Sequence, residues 1–179
     1  GSSRFCRRHC VELPSANIMG TALQTTAAPE VTPGCLITPK VALRRRLDGS
    51  YTLALPGLGR VEISPQGIRY ASKFYAAYRS KLAKKLQIRI GASFFNGPEA
   101  AGSWQFDQVS PFERQRVLDP TPDIPQARAA LAALQAEYPA LKGVHIARAW
   151  AGMIDTTPDM IPIISPVDAI PGFIVFFCF

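Results

Sequence analysis

The sequence predicts an α+β fold in which a mixed, largely antiparallel sheet is flanked by helices. Two patterns support this prediction: a hairpin centred on Asp48-Gly49, and two segments with helical periodicity at 67–84 and 125–138. The chain has 179 residues, of which 47% are hydrophobic, so a sizeable core is possible. We therefore expect a globular chain and not a disordered one.

Turn residues and apolar runs organise the first part of the chain. Residues 2–10 have the pattern of the last turns of a helix, and residues 20–26 have strand character. Residues 41–47 and 51–55 form a predicted hairpin, because Asp-Gly supplies the positive φ that a tight turn requires. The nearby Gly57-Leu58-Gly59 is not followed by a helical pattern, so we interpret it as a turn and not as part of a dinucleotide-binding motif.

Helical and strand patterns alternate in the rest of the chain. Apolar residues at spacings of three and four predict a helix over 67–84 with a basic outer face; they are Ile68, Ala71, Tyr75, Tyr78 and Leu82. A short strand is expected at 88–90. Pro125 suits the first turn of the helix at 125–138, and Pro139 lies just beyond its end. Residues 144–153 are then predicted to form a long strand.

The last predicted strand is the apolar run FIVFFCF at 173–179. An apolar run without alternation is typical of a strand buried on both faces, as in a parallel sheet covered by helices. Two interpretations remain open. The sheet that receives this strand lies in sequence outside this chain, or the strand packs in the core of this chain.

Charge is unevenly distributed along the chain. Residues 1–89 carry 15 Lys and Arg against 4 Asp and Glu, whereas residues 90–179 carry 5 against 9. A basic half is compatible with a stand-alone binding module, a solvated surface or a surface that meets an acidic partner. No nucleic-acid-binding motif is present, and no apolar stretch reaches the roughly 18 residues of a spanning helix, so we expect neither nucleic acid nor membrane as a partner.

Cysteine and histidine cluster near the start of the chain. Cys6, His9 and Cys10 lie close together, while Cys35 and Cys178 are distant. A zinc site usually needs four ligands arranged as two spaced pairs, and a second pair is missing. We expect free thiols in a reducing cytoplasm and no metal site.

Two groups of residues are candidates for binding. On a strand, Arg44 and Arg46 share one face, where two guanidiniums are able to hold a carboxylate; the alternative is a solvated edge strand. In the segment 150–159, Ala151-Gly152 permits close backbone approach, and Asp155 and Asp159 bracket a Thr-Thr-Pro turn. This segment either borders a cofactor or is an ordinary exit from a strand.

The segment WAGMIDTTPDMIPIIS, residues 150–165, resembles the C-terminal signature of the D-amino-acid oxidase superfamily, which includes glycine, sarcosine and opine oxidases. Pro171-Gly172 before the last apolar run and the Arg-x-Asp-Gly hairpin at 46–49 fit the same order. The resemblance implies an FAD-dependent enzyme that oxidises the C–N bond of a small amine or amino acid by hydride transfer to the flavin.

The resemblance also implies roles for residues and segments. Gly152, Met153, Ile154, Asp155, Thr157 and Asp159 are expected to lie beside the flavin, and Arg44 and Arg46 to bind substrate. Residues 1–19 are expected to connect to an FAD-binding domain, 20–150 to form the substrate-binding domain, and 151–179 to return to the FAD-binding domain, which receives the final strand.

Departures from the family pattern refine these expectations. The dinucleotide fingerprint and the Gly-rich turn after the last strand are both missing, so the chain is expected to be a C-terminal fragment that is inactive alone. Met153-Ile154 stand where related oxidases carry an arginine for the substrate carboxylate. Gly152 lies near the position of the flavin-linking cysteine of some sarcosine oxidases, so the flavin is expected to be bound non-covalently.

Overall fold

The computed structural model describes residues 2–79, 86–91, 93–97, 104–105 and 107–178. The helices are α1 (Ser2–Arg8), α2 (Pro65–Arg69), α3 (Tyr75–Arg79), α4 (Ser93–Asn96), α5 (Pro111–Arg114) and α6 (Ile124–Glu137), followed by a 3₁₀ turn at Pro139–Leu141. The strands are β1 (Ala16–Thr25), β2 (Cys35–Ile37), β3 (Ala42–Arg45), β4 (Tyr51–Ala54), β5 (Gly59–Glu62), β6 (Leu86–Arg89), β7 (Ile146–Thr156), β8 (Ile163–Pro166) and β9 (Ile174–Phe177).

The chain divides into two compact units. The first unit comprises Gly1–Met19, Gly59–Leu118 and Met153–Phe179, and the second comprises Gly20–Leu58 and Asp119–Gly152. This division groups residues 59–118 with the two terminal segments. The assignment of an FAD-binding and a substrate-binding domain to parts of the chain remains a prediction.

The second unit is built on antiparallel strands in the order β2-β3-β4-β1. A row of leucines crosses all four strands on the face that packs against α6, namely Leu36, Leu43, Leu53 and Leu23. From α6, Ala127, Ala130 and Leu134 enter the same core. The predicted hairpin is confirmed as β3–β4, and Gly49 has the expected positive φ of 78°. The predicted helix at 125–138 is confirmed as α6.

The first unit contains both parallel and antiparallel strand pairs. β1 pairs with β5 in antiparallel register, and β5 pairs with β6 in parallel register. β8 and β9 form a separate antiparallel pair. One face of β9 packs against Cys6 and Leu13, next to helix α1. The expected mixed, largely antiparallel sheet is therefore present.

The prediction of one continuous helix over 67–84 is wrong in the part of it that the structure describes. Two short helices, α2 and α3, are separated by a turn at residues 70–74, and the remainder of the predicted helix, 80–84, lies outside the described residues. Tyr70 and Phe74 are buried, whereas Ile68 and Tyr75 are exposed. The periodic stripe therefore does not mark the buried face. Burial of the two turn aromatics determines where the chain bends.

Several strand boundaries differ from the prediction. The strand expected at 20–26 begins earlier, as β1, and that at 144–153 extends to Thr156, as β7. Strands β2 and β5 were not predicted, because they are short and lie beside turn residues. In β9, Val175 and Phe177 are buried while Ile174 is 57% and Phe176 is 62% exposed. Among the described residues, only one face of this strand is therefore covered. Phe179, the last residue of the predicted run, lies outside the described residues.

Candidate functional site

The turn that follows β7 is held by a buried threonine. The Thr157 side chain is only 1% exposed; its hydroxyl donates to Asp159 Oδ1 at 2.8 Å and lies 3.1 Å from the Ile161 carbonyl oxygen. The Ile161 N–H donates to the same Asp159 oxygen at 3.1 Å. The Met160 N–H closes the turn on the Thr157 carbonyl at 3.1 Å. The turn is therefore an ordered support for the residues that precede it.

Hydrogen bonds within this turn lower the pKa of the Asp159 carboxyl group. Hydrogen bonds from the Ile161 backbone N–H and then from the Thr157 hydroxyl lower the pKa of Asp159 from its ordinary value. The group is exposed, so its charge is available to solvent or to a ligand. Asp159 can thus accept hydrogen bonds as a carboxylate at neutral and mildly acidic pH.

The residues that lead into the turn pass from exposed to buried. Ile154 and Asp155 are exposed, Met153 is half-buried, and Thr156 and Thr157 are buried. Gly152 is exposed at the end of the second unit. Apart from its two chain neighbours, no described residue has a heavy atom within 4 Å of the place where a Cβ would stand. The backbone at Gly152 is therefore open to close approach by a flat group from outside the described residues.

Arg44 and Arg46 lie on and just after β3 in the second unit. Both are exposed and both adjoin Thr52: Arg44 is its register partner, and Arg46 Nη1 donates to its hydroxyl at 3.3 Å. Arg46 also lies 3.7 Å from Asp48 Oδ2. The Ser50 hydroxyl and backbone N–H, with a smaller contribution from Arg46, lower the pKa of Asp48. Arg44 and Arg46 thus share Thr52 as a neighbour, and their role in substrate binding stays a prediction.

A second arginine site, in the first unit, was not recognised from the sequence. Arg60 and Glu62 lie on the same face of β5, and Arg60 Nη2 is 3.0 Å from Glu62 Oε1. Their side chains are only 15% and 21% exposed. The sequence signal is the Arg-x-Glu spacing of Arg60-Val61-Glu62. It was missed because Gly57-Leu58-Gly59, which no helical pattern follows, was interpreted only as a turn.

The opposite face of β5 borders an apolar cavity. Its volume is about 310 Å³ including the open mouth, and its lining includes Ile18, Val61, Phe74, Tyr78 and Met160. Thr156, which precedes the turn described above, also lines it. The lining of the cavity is almost entirely apolar.

The clustered cysteines and histidine near the start of the chain are packed differently from one another. Cys6 is buried and its burial raises the pKa of the thiol, whereas Cys10 is exposed. The His9 ring contacts the Phe5 ring at a tilt of 49°, with centroids 4.8 Å apart. All four cysteines are free. Across the described ranges, no three metal-ligating side chains come together. Nor does any helix in those ranges have the length and apolar character needed to cross a membrane.

Solved structures of known proteins resemble this chain. No protein-family model and no curated protein matches the sequence. Among solved structures, the L-amino acid deaminase from Proteus vulgaris matches with a TM-score of 0.86 and 25% identity over 98% of this chain. The neighbours are amino acid deaminases. The enzyme from Proteus myxofaciens, solved in complex with anthranilate, matches with a TM-score of 0.83 and 26% identity over 94% of this chain.

These matches cover only part of the deaminases. The chain spans 41% of the first neighbour and 38% of the second. A form of the Proteus vulgaris enzyme that lacks its specific insertion sequence matches with a TM-score of 0.54 and 21% identity, which bears on the fold alone. The chain therefore has the fold of a part of an amino acid deaminase.

Proposed function

We propose that this chain is part of a flavin-dependent oxidoreductase that oxidises the C–N bond of an amino acid. The observation that carries the proposal is the structural likeness to two L-amino acid deaminases at 25% and 26% identity over nearly the whole chain. The segment at 150–165, with its resemblance to the D-amino-acid oxidase superfamily, supports the same class independently. The deaminase likeness supports an amino acid, in preference to an amine in general, as the substrate.

The proposed enzyme is longer than this chain. The partial coverage of the deaminases supports this, and so does the uncovered apolar face of β9, with Ile174 and Phe176 exposed. Burial of such a face is favourable, at about 25 cal/mol per Å² of apolar surface. We assign residues 1–19 and 151–179 to the FAD-binding part and residues 20–150 to the substrate-binding part.

The residues around Gly152 fit a flat cofactor. The open space at Gly152 leaves room for an aromatic ring system against the backbone. In the first unit, the turn at Thr157 holds Asp159 in place, and Asp155 belongs to the same predicted segment. Met153 and Ile154 complete the predicted flavin-facing segment. FAD, when bound, supplies the acceptor for the hydride that leaves the substrate carbon. Because glycine has no side chain, Gly152 cannot form a covalent bond to it.

The contribution of this chain is then to bind and orient the amino acid. Orientation of a substrate against a cofactor accounts for a large part of catalysis in such enzymes. A carboxylate is bound best by a guanidinium, which offers two parallel N–H donors. Arg44 and Arg46 are candidates by their position on one sheet face.

The test uses the complete reading frame that contains this sequence. The purified protein is expected to show a flavin absorbance spectrum. Under anaerobic conditions, at least one amino acid should bleach the flavin absorbance, and the corresponding 2-oxo acid should be released. Amines that lack the carboxylate serve as controls and are expected to react poorly. A colourless protein that takes up no flavin, and instead binds nucleic acid with a steep salt dependence, would favour the basic binding module.

A further inference from the structure

Strand β6 lies at one end of the strand order of its sheet. In the described part of the chain its hydrogen-bonded neighbour is β5, which pairs with it in parallel along one edge. A strand at the edge of a sheet presents a row of backbone N–H and C=O groups to which another strand can pair. The outer edge of β6 can therefore receive a further strand.

The backbone of β6 is oriented for this pairing. The Ile63 N–H donates to the Arg89 carbonyl at 2.8 Å, so the backbone groups of Arg89 face β5. Along a strand, the backbone groups of successive residues point to opposite edges. The N–H and C=O of Ile88 therefore point to the outer edge, away from β5.

The same edge carries large apolar side chains that face solvent. Ile88 is 60% exposed, and Ile90, just after the strand, is 70% exposed. Leu86, which is half-buried, shares their face of the strand, because residues two apart point to the same side. Gln87 and Arg89 are exposed on the opposite face. The edge therefore combines outward-pointing backbone groups with one apolar and one polar face.

We propose that the outer edge of β6 binds a second copy of this chain, with the two β6 strands antiparallel about a twofold axis at Ile88. In this register Ile88 lies opposite the same residue of the second copy. Leu86 lies opposite Ile90, and Gln87 lies opposite Arg89. One face of the joined strands is then apolar and the other polar, which continues the alternation within each strand. The surface is self-complementary, as a twofold interface requires.

Side-chain alternation and charge select this register over its neighbours. A shift of one residue places Ile88 opposite Gln87 or Arg89 and mixes apolar with polar side chains on each face. A register centred on Arg89 places two guanidiniums directly opposite each other, which is destabilising. A register centred on Gln87 leaves Ile90 without a partner on the other β6. The register centred on Ile88 pairs both isoleucines and keeps the two arginines apart.

Disulfide cross-linking tests the register. The two copies of residue 88 form a hydrogen-bonded antiparallel pair with Cα atoms about 5.5 Å apart, within the range of a disulfide. Ile88→Cys should therefore give a cross-linked dimer on oxidation with copper phenanthroline, detected by non-reducing electrophoresis. Ile90→Cys is the matched control, because four residues of strand, about 13 Å, separate its two copies. Both variants also carry Cys10→Ser, Cys35→Ser and Cys178→Ser, which removes the native thiols that are not buried.

Sedimentation velocity at increasing protein concentration measures the association itself. Every sample carries Phe176→Ser, so that the exposed side chain of Phe176 on β9 does not contribute. We expect a dimer whose Kd rises about fivefold or more in Ile88→Lys, because like charges then lie opposite each other across the axis. Ile68→Lys is the matched control, at an isoleucine on α2 that is 58% exposed, and should leave the Kd within about twofold.

The two measurements together decide the proposal. Cross-linking of Ile88→Cys but not of Ile90→Cys, with a dimer weakened only by Ile88→Lys, supports the twofold pairing of β6. A monomer at all concentrations, equal cross-linking of the two cysteine variants, or equal effects of Ile88→Lys and Ile68→Lys on the Kd overturns it.

Discussion

Within the Arg44–Arg46 run, the middle arginine has a structural role that its neighbours lack. Arg45 Nη1 donates to the Ala28 carbonyl at 2.8 Å and to the Gly49 carbonyl at 2.7 Å. Its guanidinium also lies 4.8 Å from the ring centroid of Tyr51, which is fully buried. Arg45 thereby links the hairpin turn to the loop that follows β1 through hydrogen bonds to both segments.

We expect Arg45→Lys to destabilise the protein by about 1–2 kcal/mol, because an ammonium cannot make both carbonyl contacts and the ring contact in the same geometry. Urea denaturation measures the change. Arg44→Lys, at an exposed position in the same run, is the matched control and should stay within about 0.5 kcal/mol of the parent protein. Equal effects of the two substitutions would contradict the structural role of Arg45.

Asp159 is expected to make stability depend on pH. Its folded-state pKa lies below the ordinary value of 3.8, so its contribution is present above pH 3.8 and is lost as the pH falls through the folded pKa. Thr157→Val removes one of the two main hydrogen-bond donors and should move the pKa of Asp159 back up. An NMR titration of the Asp159 carboxyl carbon measures this shift, and no movement would show that Thr157 has no effect on the carboxylate.

Among the helices, α6 depends on a side-chain cap at its start. Asp123 Oδ1 accepts the Gln126 N–H at 3.1 Å, and the Asp123 N–H donates to the Thr21 hydroxyl at 3.0 Å. We expect Asp123→Ala to cost about 1 kcal/mol in thermal or chemical denaturation. Asp123→Asn retains an acceptor oxygen and should cost clearly less. If both substitutions cost the same, the cap is not the source of the stability.

The β8–β9 pair has one covered and one uncovered apolar face. Ile164 and Phe176 are register partners on the uncovered face, 61% and 62% exposed, and Ile174 extends that face. Phe177, the next residue along the strand, is 4% exposed and packs in the cluster around Cys6. Successive residues of one strand therefore have opposite environments.

This contrast provides a paired prediction. Phe176→Ser should reduce self-association of the isolated chain, measured by sedimentation velocity, because it removes an exposed apolar side chain. Phe177→Ser should lower the free energy of unfolding by about 3 kcal/mol or more, because it removes buried apolar contacts. A monomeric parent chain, or equal effects of the two substitutions on stability, would contradict this assignment of the two faces.

For the molecule as a whole, the proposed assignment of segments to an FAD-binding part and a substrate-binding part predicts that this chain alone binds FAD weakly. The Gly-rich turn and helix N-terminus that bind the phosphates of a dinucleotide have no counterpart in its sequence. Titration with FAD, followed by flavin fluorescence, should therefore show no stoichiometric binding at submicromolar concentration. A yellow protein with one tightly bound FAD would show that this sequence contains a flavin site of another kind.

Local signals were sufficient for several elements of this fold. Asp48-Gly49 specified the hairpin because its turn needs a positive φ, and Pro125 and Pro139 bracketed α6 because proline suits the start of a helix and interrupts its continuation. The helix predicted at 67–84 failed because the apolar stripe was assumed to face the core. Burial of Tyr70 and Phe74 in the first unit overrides that periodicity.

The sequence by itself determined the mixed α+β class, the hairpin at Asp48-Gly49 and the helix between Pro125 and Pro139. These follow from periodicities and turn chemistry that act between near neighbours. Only the tertiary structure decided that Arg45 is a structural residue and that Thr157 is buried and bonded to Asp159. It also decided that Arg60 Nε has no hydrogen-bond acceptor among the described residues. Burial and hydrogen-bond satisfaction depend on contacts between residues far apart in sequence, which no local pattern encodes.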